Sequence, residues 1–221
     1  MTEHTGDGRF GLACKRVLIT GGTAGIGRAV AERFVEVGAS VVISGRRADG
    51  AAVAADMGAE FIAADVSIEG DLAALFAATV DRLGGLDVVV LNAGIDPGMA
   101  PIPEYGADAF DRNLDVNLRH VWWSLAQASE HLADGGSIIT TSSTTAIYKV
   151  PNVSAYAAIK EAVVSLTKSA ALELAPRGIR ANSVLPGTTL SEMTPDDHWE
   201  IPVMETMFAH AHLRRSHSWL S

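Results

Sequence analysis

The sequence predicts a single α/β domain built on a doubly wound parallel sheet. Six short runs rich in Val, Ile and Leu recur along the chain, and segments with helical spacing lie between them. Most of these runs are apolar at every position, which is typical of strands covered by helices on both faces. Right-handed crossovers would join such strands into a parallel sheet. The predicted strands are residues 16–20, 40–44, 60–64, 86–91, 137–141 and 179–185.

Apolar residues recur every three or four positions in the segments between these runs. The pattern covers residues 26–37 and 72–83, and each stretch is followed directly by a glycine, a common helix terminator. A longer helix is predicted over residues 154–175, and another after Asn117. After Pro186 the alternation of strand and helix stops.

Composition excludes several classes of function. The chain has 221 residues and a net charge of −9, which argues against nucleic acid and anionic membrane surfaces as partners. No apolar run approaches the roughly 18 residues of a membrane helix, and residues 1–9 lack the apolar segment of a secretory signal. The single cysteine, Cys14, fits a reducing compartment. We therefore expect one cytoplasmic domain spanning residues 1–221.

A glycine-rich turn follows the first predicted strand directly. Its sequence is Thr20-Gly21-Gly22-Thr23-Ala24-Gly25-Ile26-Gly27, with the spacing Gly-x3-Gly-x-Gly. Such a turn lets the backbone approach a pyrophosphate, and the helix that follows presents free N–H groups and the positive end of its dipole. The turn predicts a dinucleotide site, although a strand-to-helix turn without a ligand remains the alternative.

The end of the second strand bears on the choice of cofactor. Gly45-Arg46-Arg47 stands where NAD sites place a carboxylate for the adenosine ribose. Arg46 offers a charged fork to a 2′-phosphate, and we expect no carboxylate to oppose it. We expect NADP(H) to be preferred, with NAD(H) as the alternative; two solvated surface arginines are the plainer interpretation.

Seven motifs, in order and spacing, resemble those of the short-chain dehydrogenase/reductase family, a Rossmann-fold family, over roughly residues 15–191. They are the turn 20–27, Asp65-Val66, Asn92-Ala93-Gly94, Asn117, Ser143, Tyr156-x-x-x-Lys160 and Pro186-Gly187. The resemblance implies an enzyme that interconverts a secondary alcohol and a ketone by hydride transfer, acting on a small molecule.

The spacing of Tyr156 and Lys160 also makes chemical sense by itself, because residues four apart lie on one face of a helix. The pKa of a free tyrosine is about 10, too high for efficient acid–base catalysis at neutral pH. A nearby ammonium and a cationic nicotinamide favour the phenolate, and lowering its pKa by roughly 3 units requires about 4 kcal/mol. We expect Lys160 to contribute to this shift and Ser143 to donate to a substrate carbonyl.

The family resemblance assigns a role to each catalytic candidate. Tyr156 would donate the proton in reduction, Lys160 would hold the ribose hydroxyls, and Asn117 would support a water-mediated proton relay. Ser143 is preferred to Ser142 because it matches the family's spacing to the tyrosine.

The resemblance also implies where the cofactor binds. Asp65 would contact the adenine, Asn92 to Gly94 would line the cleft, and Thr189 and Ser191 would hold the carboxamide. The implied cofactor-binding residues are Gly21, Thr23, Gly25, Ile26, Gly27, Arg46, Asp65, Val66, Asn92, Ala93, Gly94, Tyr156, Lys160, Pro186, Gly187, Thr189 and Ser191.

Two features depart from the family pattern. Ala24 stands where many NADP-using members have Lys or Arg, so only Arg46, helped by Arg47, would hold the phosphate. Family members also continue with a further helix and a seventh strand, whereas residues 192–221 look like neither, so we expect both to be missing. The acidic part of this stretch, 192–200, would form a substrate lid or a plain solvated loop.

Three expectations stay open at this point. The helices around residues 117–131 and 154–175 would pair subunits in a homodimer, and a homotetramer is the alternative. A non-catalytic nucleotide-binding protein derived from the same fold is the alternative to an enzyme. No metal site is expected, because His210, His212 and His217 are not spaced to converge on one ion.

Overall fold

A computed structural model describes residues 11–189 of the chain. Its centre is one sheet of six parallel strands in the order β3-β2-β1-β4-β5-β6, which confirms the predicted fold class. The strands are β1 (Arg16–Thr20), β2 (Ser40–Gly45), β3 (Glu60–Ala63), β4 (Val88–Leu91), β5 (Ser137–Thr141) and β6 (Arg180–Val184).

Helices cover both faces of this sheet. They are α1 (Gly25–Glu36), α2 (Gly50–Met57), α3 (Glu69–Leu83), α4 (Ala107–Leu114), α5 (His120–His131) and α6 (Ser154–Leu174), and a π-helical turn (Asp115–Arg119) joins α4 to α5. One core packs α1 and α2 on the sheet, and the other packs α3, α5 and α6 on the opposite face.

Alternation of side chains along β1 explains why its sequence is apolar throughout. Leu18 belongs to the core under α3, α5 and α6, whereas Val17 and Ile19 belong to the core under α1 and α2. All three are fully buried. A strand with a helix layer on each face has no solvent side on which a polar residue would be stable.

Two helices were not predicted from the sequence. In α2 the segment GAAVAADM is mostly alanine, so it carries too little apolar contrast to show a helical period. In α4 the only large apolar residues are Phe110 and Leu114, and Phe110 is exposed. The bounds of β1 and β5 are as predicted, and those of the other strands differ by one or two residues; β4, for example, begins at Val88 instead of residue 86.

The topology brings the carboxyl ends of the strands to one edge of the sheet. β1 pairs with β2 on one side and with β4 on the other, so the strand order reverses beside β1. Ligands of open α/β sheets bind in the crevice at such a reversal. No helix within residues 11–189 is long and apolar enough to cross a membrane. Ser191, the segment 192–200, the histidines after it and any final helix or strand lie outside the described residues.

Candidate active site

The glycines of the turn after β1 are required first by the protein's own packing. Gly21 has a φ of 66°, and a Cβ built on it would lie 2.8 Å from the Ala93 Cα. A Cβ on Gly22 would lie 2.6 Å from the Ile43 side chain, and one on Gly27 would strike the Gly21 carbonyl oxygen. The turn is therefore pressed against β2 and β4 so closely that side chains cannot be accommodated.

The remaining glycine, Gly25, opens α1 and faces solvent with a φ of 51°. The residue before it, Ala24, provides no side-chain cap, so no side chain accepts from the N–H groups of the first turn. A helix N-terminus with free N–H groups and no acidic residue attracts an anion. This end of α1 fits the pyrophosphate of a dinucleotide.

Asn92 and Thr20 tie the glycine-rich turn to the middle of the sheet. The Thr20 hydroxyl accepts from the backbone N–H groups of Asn92 and Ala93, both at 3.1 Å. The Asn92 side chain donates to the Gly21 carbonyl at 3.2 Å and accepts from the Thr141 hydroxyl at 3.3 Å. These bonds hold Asn92 and Ala93 in the floor of the crevice.

At the end of β2, the Arg46 side chain is 65% exposed and reaches toward Asp65, with 3.7 Å between Nη1 and Oδ2. This contact corrects the expectation that no carboxylate opposes Arg46, because Asp65 comes from the loop after the neighbouring strand β3 and not from the segment around Arg46. Arg47 instead donates to Asp49 at 2.9 Å through Nε and Nη2. The two arginines therefore have different environments.

Asp65 is held in place by its neighbours. Its Oδ1 accepts from the Ser67 backbone N–H at 3.0 Å and from the Ser67 hydroxyl at 2.7 Å. Burial raises the pKa of Asp65, but the bonds from Ser67 and the charge of Arg46 together leave that pKa below its usual value. The side chain of Val66 is buried in the core, so only its backbone can face a cofactor.

The two adjacent serines after β5 have different surroundings. Ser142 is buried and its hydroxyl donates to the Lys160 carbonyl at 2.6 Å. Ser143 Oγ accepts from the Thr145 backbone N–H at 3.2 Å and from the Thr145 hydroxyl at 3.0 Å. Because both acceptor positions of Ser143 are occupied, its own proton remains free to be donated. This geometry favours Ser143 as the hydroxyl of the site.

Tyr156 lies on the first turns of α6, with its phenol beside Ser143. Burial raises the pKa of Tyr156 to about 12, the Ser143 hydroxyl acts against this rise, and the charge of Asp96 adds to it. The direction is opposite to the one expected from the Tyr156–Lys160 pair. Lys160 Nζ lies over the tyrosine ring, 5.6 Å from its centre.

Lys160 is 5% exposed, and burial lowers its pKa to about 8. Its ammonium donates to the Thr141 carbonyl at 3.1 Å. One such bond leaves two N–H groups of the ammonium for other acceptors. These groups are available to the hydroxyls of a ribose.

Asn117 lies in the π-helical turn before α5 and is fully buried. Its side chain accepts from the Ile95 N–H at 3.1 Å and donates to the Ile95 carbonyl at 3.0 Å and to Asn113 at 2.8 Å. A Cβ on Gly94 would lie 2.8 Å from Asn117 Oδ1 and 3.8 Å from Lys160 Nζ. Asn117 therefore fixes the loop after β4 next to Lys160.

The segment after β6 reaches the same edge of the sheet. The Pro186 carbonyl accepts from the Thr144 N–H at 3.0 Å, next to Ser143. The Thr189 hydroxyl donates to the Gly187 carbonyl at 3.2 Å and is exposed. The structure thus brings Pro186, Gly187 and Thr189 to the edge that carries the other predicted residues.

Three groups that take part in this site were not predicted from the sequence. The Thr141 carbonyl is a backbone group and leaves no signal in the sequence. Thr145 is one of several hydroxyl residues after β5, and only the fold shows which of them bonds Ser143. Asn113 could have been found, because an asparagine four residues before Asn117 lies on the same helical face.

No group of three or more metal-ligating side chains comes together within residues 11–189. A cavity of about 470 Å³ lies between the second half of α6 and β6, and it is lined by none of the predicted site residues. The chemistry-bearing side chains are concentrated instead at the carboxyl edge of the sheet.

A glycine-rich strand-to-helix turn, with a tyrosine, a lysine and a serine at the same edge of one parallel sheet, fits a dinucleotide-dependent oxidoreductase. The family model described as short chain dehydrogenase matches residues 15–200. The chain belongs to this family and is an oxidoreductase of the short-chain dehydrogenase/reductase type.

Known proteins support the same assignment. A 3beta-hydroxysteroid dehydrogenase of Mediterraneibacter gnavus is 38% identical over 187 residues, which are 81% of this chain and 68% of that protein. A short chain dehydrogenase of Burkholderia cenocepacia, solved in complex with NADP, is 36% identical with a TM-score of 0.81, covering 90% of this chain and 82% of that one. A 3-ketoacyl-(acyl-carrier-protein) reductase of Brucella melitensis, solved with NADH, is 36% identical with a TM-score of 0.79, covering 82% and 78%.

Proposed function

We propose that the chain is an NADP(H)-dependent oxidoreductase that interconverts a secondary alcohol and a ketone, with Tyr156 as its acid–base group. The observation that carries this proposal is the placement of Tyr156 beside the Ser143 hydroxyl and next to Lys160, whose Nζ lies 5.6 Å from the tyrosine ring. These groups lie at the edge of the sheet where the glycine-rich turn can hold a dinucleotide.

The state of each side chain suits the reduction of a ketone. Burial keeps the Tyr156 phenol protonated at neutral pH, because its pKa is about 12. The protonated phenol is the form that can give a proton to the carbonyl oxygen as negative charge develops there. Ser143 donates a hydrogen bond to the same oxygen, since its acceptor positions are already filled by Thr145.

The residues present fit a nicotinamide dinucleotide. The first turn of α1 would bind the pyrophosphate, Asp65 the adenine, and Lys160 the ribose hydroxyls. The bound cofactor supplies or accepts the hydride. Thr189, with Ser191 beyond the described residues, would hold the carboxamide, and Asn117 would support a water relay to Lys160.

Arg46 supports NADP(H) over NAD(H). Its guanidinium is exposed at the end of β2, where it is available to a phosphate, and its 3.7 Å contact with Asp65 holds it at the crevice. Exposed ion pairs of this length are weak, so a phosphate can replace the carboxylate as partner. NAD(H) remains the alternative, because Asp65 could instead neutralise the arginine.

We also propose that the chain forms at least a homodimer through α5 and α6. Trp122 on α5 is 59% exposed and Leu172 on α6 is 79% exposed. Large apolar side chains of this kind on two neighbouring helices are more stable when a second subunit covers them. A homotetramer would require a second contact surface.

The Tyr156→Phe variant tests the proposed function. Because phenylalanine keeps the ring and removes only the hydroxyl, turnover should be lost while NADPH still binds. We would follow NADPH oxidation with ketosteroids, 3-ketoacyl thioesters and small cyclic ketones, and measure cofactor binding by fluorescence titration. Undiminished turnover by Tyr156→Phe would refute the role of Tyr156. Binding of NADPH by the native chain without turnover of any carbonyl would favour the non-catalytic alternative.

A further inference from the structure

Helix α5 contains a cluster of buried polar atoms that the proposed chemistry does not use. His120 is 1% exposed and Ser124, one turn later, is fully buried. Neither nitrogen of the His120 ring and no atom of the Ser124 hydroxyl has a hydrogen-bond partner in the described part of the chain. Buried polar groups are almost always paired, so three unpaired polar atoms on one helical turn indicate a bound water.

The backbone around His120 does not supply the missing partners. The His120 amide donates to Asp115 across the π-helical turn, five residues back. The Val116 carbonyl faces the ring closely enough to favour its protonated form, but it lies outside hydrogen-bond geometry. The imidazole therefore still needs one acceptor for its N–H and one donor for its other nitrogen.

Helix α5 packs against α6, which carries the candidate catalytic lysine, and the charge of Lys160 acts on the His120 ring. His120 follows Asn117 by three residues, and both side chains are buried. Asn117 Oδ1 and Lys160 Nζ both lie within 4 Å of the position that a Cβ on Gly94 would occupy. Burial and the charge of Lys160 lower the pKa of His120 to about 3, so the ring is neutral at the pH values in which enzymes of this kind are assayed.

We propose that His120 and Ser124 bind a buried water, and that through this water the neutral imidazole acts as a positioning residue for Lys160. Only one N–H of the Lys160 ammonium is accounted for, by the Thr141 carbonyl. A water anchored by an imidazole and a hydroxyl can turn its oxygen toward the ammonium and stabilise the charged form of the lysine. The positioning role rests on the function proposed for Lys160, whereas the water site does not.

The site itself is tested without any activity measurement. A crystal structure of the native chain should show a water within about 3.2 Å of a His120 ring nitrogen and of Ser124 Oγ. In Ser124→Ala the water should be lost or displaced. In ¹⁵N NMR spectra, His120 should remain a neutral imidazole down to pH 5. A dry cluster in the native crystal structure would overturn the proposal, whatever the enzyme turns over.

The positioning role is tested by a pair of substitutions at His120. His120→Phe removes both polar atoms, whereas His120→Gln keeps one donor and one acceptor. In alcohol oxidation, His120→Phe should lower kcat/KM about three- to tenfold, the size of one hydrogen bond, and move the acidic limb of the pH profile, on which activity rises as the phenolate forms, to higher pH. The limb moves upward because a less stable ammonium favours the phenolate less.

Controls separate this effect from a folding defect. His120→Gln should restore most of the pH profile, and both variants should melt cooperatively and bind NADPH. If His120→Phe does not fold, Ser124→Ala carries the same measurement. If the native crystal structure shows the water and the pH profiles of these variants are nevertheless unchanged, the positioning role is overturned. If the native chain turns over no substrate, the proposed function is refuted. The water site is then still tested by the crystal structure of the native chain.

Discussion

Replacing each of the adjacent serines Ser142 and Ser143 by alanine should separate a structural hydroxyl from a chemical one. Ser142→Ala removes the 2.6 Å bond to the Lys160 carbonyl. Ser143→Ala removes the 3.2 Å and 3.0 Å bonds from Thr145. At about 1 kcal/mol per bond, both variants lose about 1 to 2 kcal/mol of stability. Their melting temperatures should therefore fall by similar amounts, about 2 to 4 °C per kcal/mol.

Their turnover should differ by orders of magnitude. Ser143→Ala removes the hydroxyl that we propose donates to the carbonyl oxygen, and the loss of one such donor lowers kcat by about 10² to 10³. Ser142→Ala leaves this donor in place, so kcat should change by less than about tenfold, within what a small shift of α6 produces. Ser143→Thr keeps the hydroxyl and should recover part of the activity.

The assay is steady-state reduction of one ketone by NADPH, with melting temperature measured on the same preparations. Because the melting temperature of each alanine variant is known, a difference in kcat can be assigned to the chemistry and not to the amount of folded enzyme. Equal losses of kcat in the two variants, or a larger loss in Ser142→Ala, would show that the serine of the site has been assigned wrongly.

Three further predictions follow from the charges and exposed surface of the described residues. Arg46→Ala should weaken NADPH binding about 10- to 100-fold and leave NADH binding unchanged, whereas Arg47→Ala should affect neither strongly. Fluorescence titrations with the two cofactors in parallel test this, and an equal effect of Arg46→Ala on both cofactors would contradict it. Arg16 lowers the pKa of Asp87, so this pair stabilises the fold above the carboxyl's ordinary pKa of about 4 and the contribution is lost as pH falls below it. Asp87→Asn should therefore reduce stability at pH 7 by about 2 kcal/mol and flatten its acid dependence in urea unfolding. Trp122→Lys should shift the mass in light scattering toward the monomer, and an unchanged oligomer mass would place the subunit contact elsewhere.

The sheet was largely predictable because its central strands β1, β2 and β4 are buried on both faces. A run such as Val17 to Ile19 is apolar at every position only if helices cover both sides. The helices α2 and α4 were not predictable in the same way, since the alanines of α2 and the charged residues of α4 give no apolar period. These helices lie in the connections between parallel strands, and the need for them is seen only once the topology of the sheet is known.

The residues of the site could be predicted from the sequence, but several of the contacts between them could not. The spacing of Tyr156 and Lys160 places them on one helix face, and the structure brings them together at the edge of the sheet as expected. The carboxylate that meets Arg46 could not be found, because Asp65 lies 19 residues away in sequence, in the loop that follows β3. The unpaired state of His120 likewise depends on what surrounds α5 in three dimensions.

One physical cause shifts the two titratable side chains of the site in opposite directions. Burial raises the pKa of Tyr156 to about 12 and lowers that of Lys160 to about 8, so both are biased toward their neutral forms. At pH 7 the phenol is five pH units below its pKa, and forming the phenolate costs about 7 kcal/mol at roughly 1.4 kcal/mol per unit. Lys160 retains its charge at this pH, and its ammonium lies over the tyrosine ring, 5.6 Å from the ring centre. Because the pKa of Tyr156 is about 12 with this ammonium in place, the lysine by itself does not make Tyr156 a base. Proton donation to a ketone starts from the protonated phenol and does not require the free energy of forming the phenolate. Alcohol oxidation does require it, so further positive charge must enter the crevice beside the phenol before the proton can be removed.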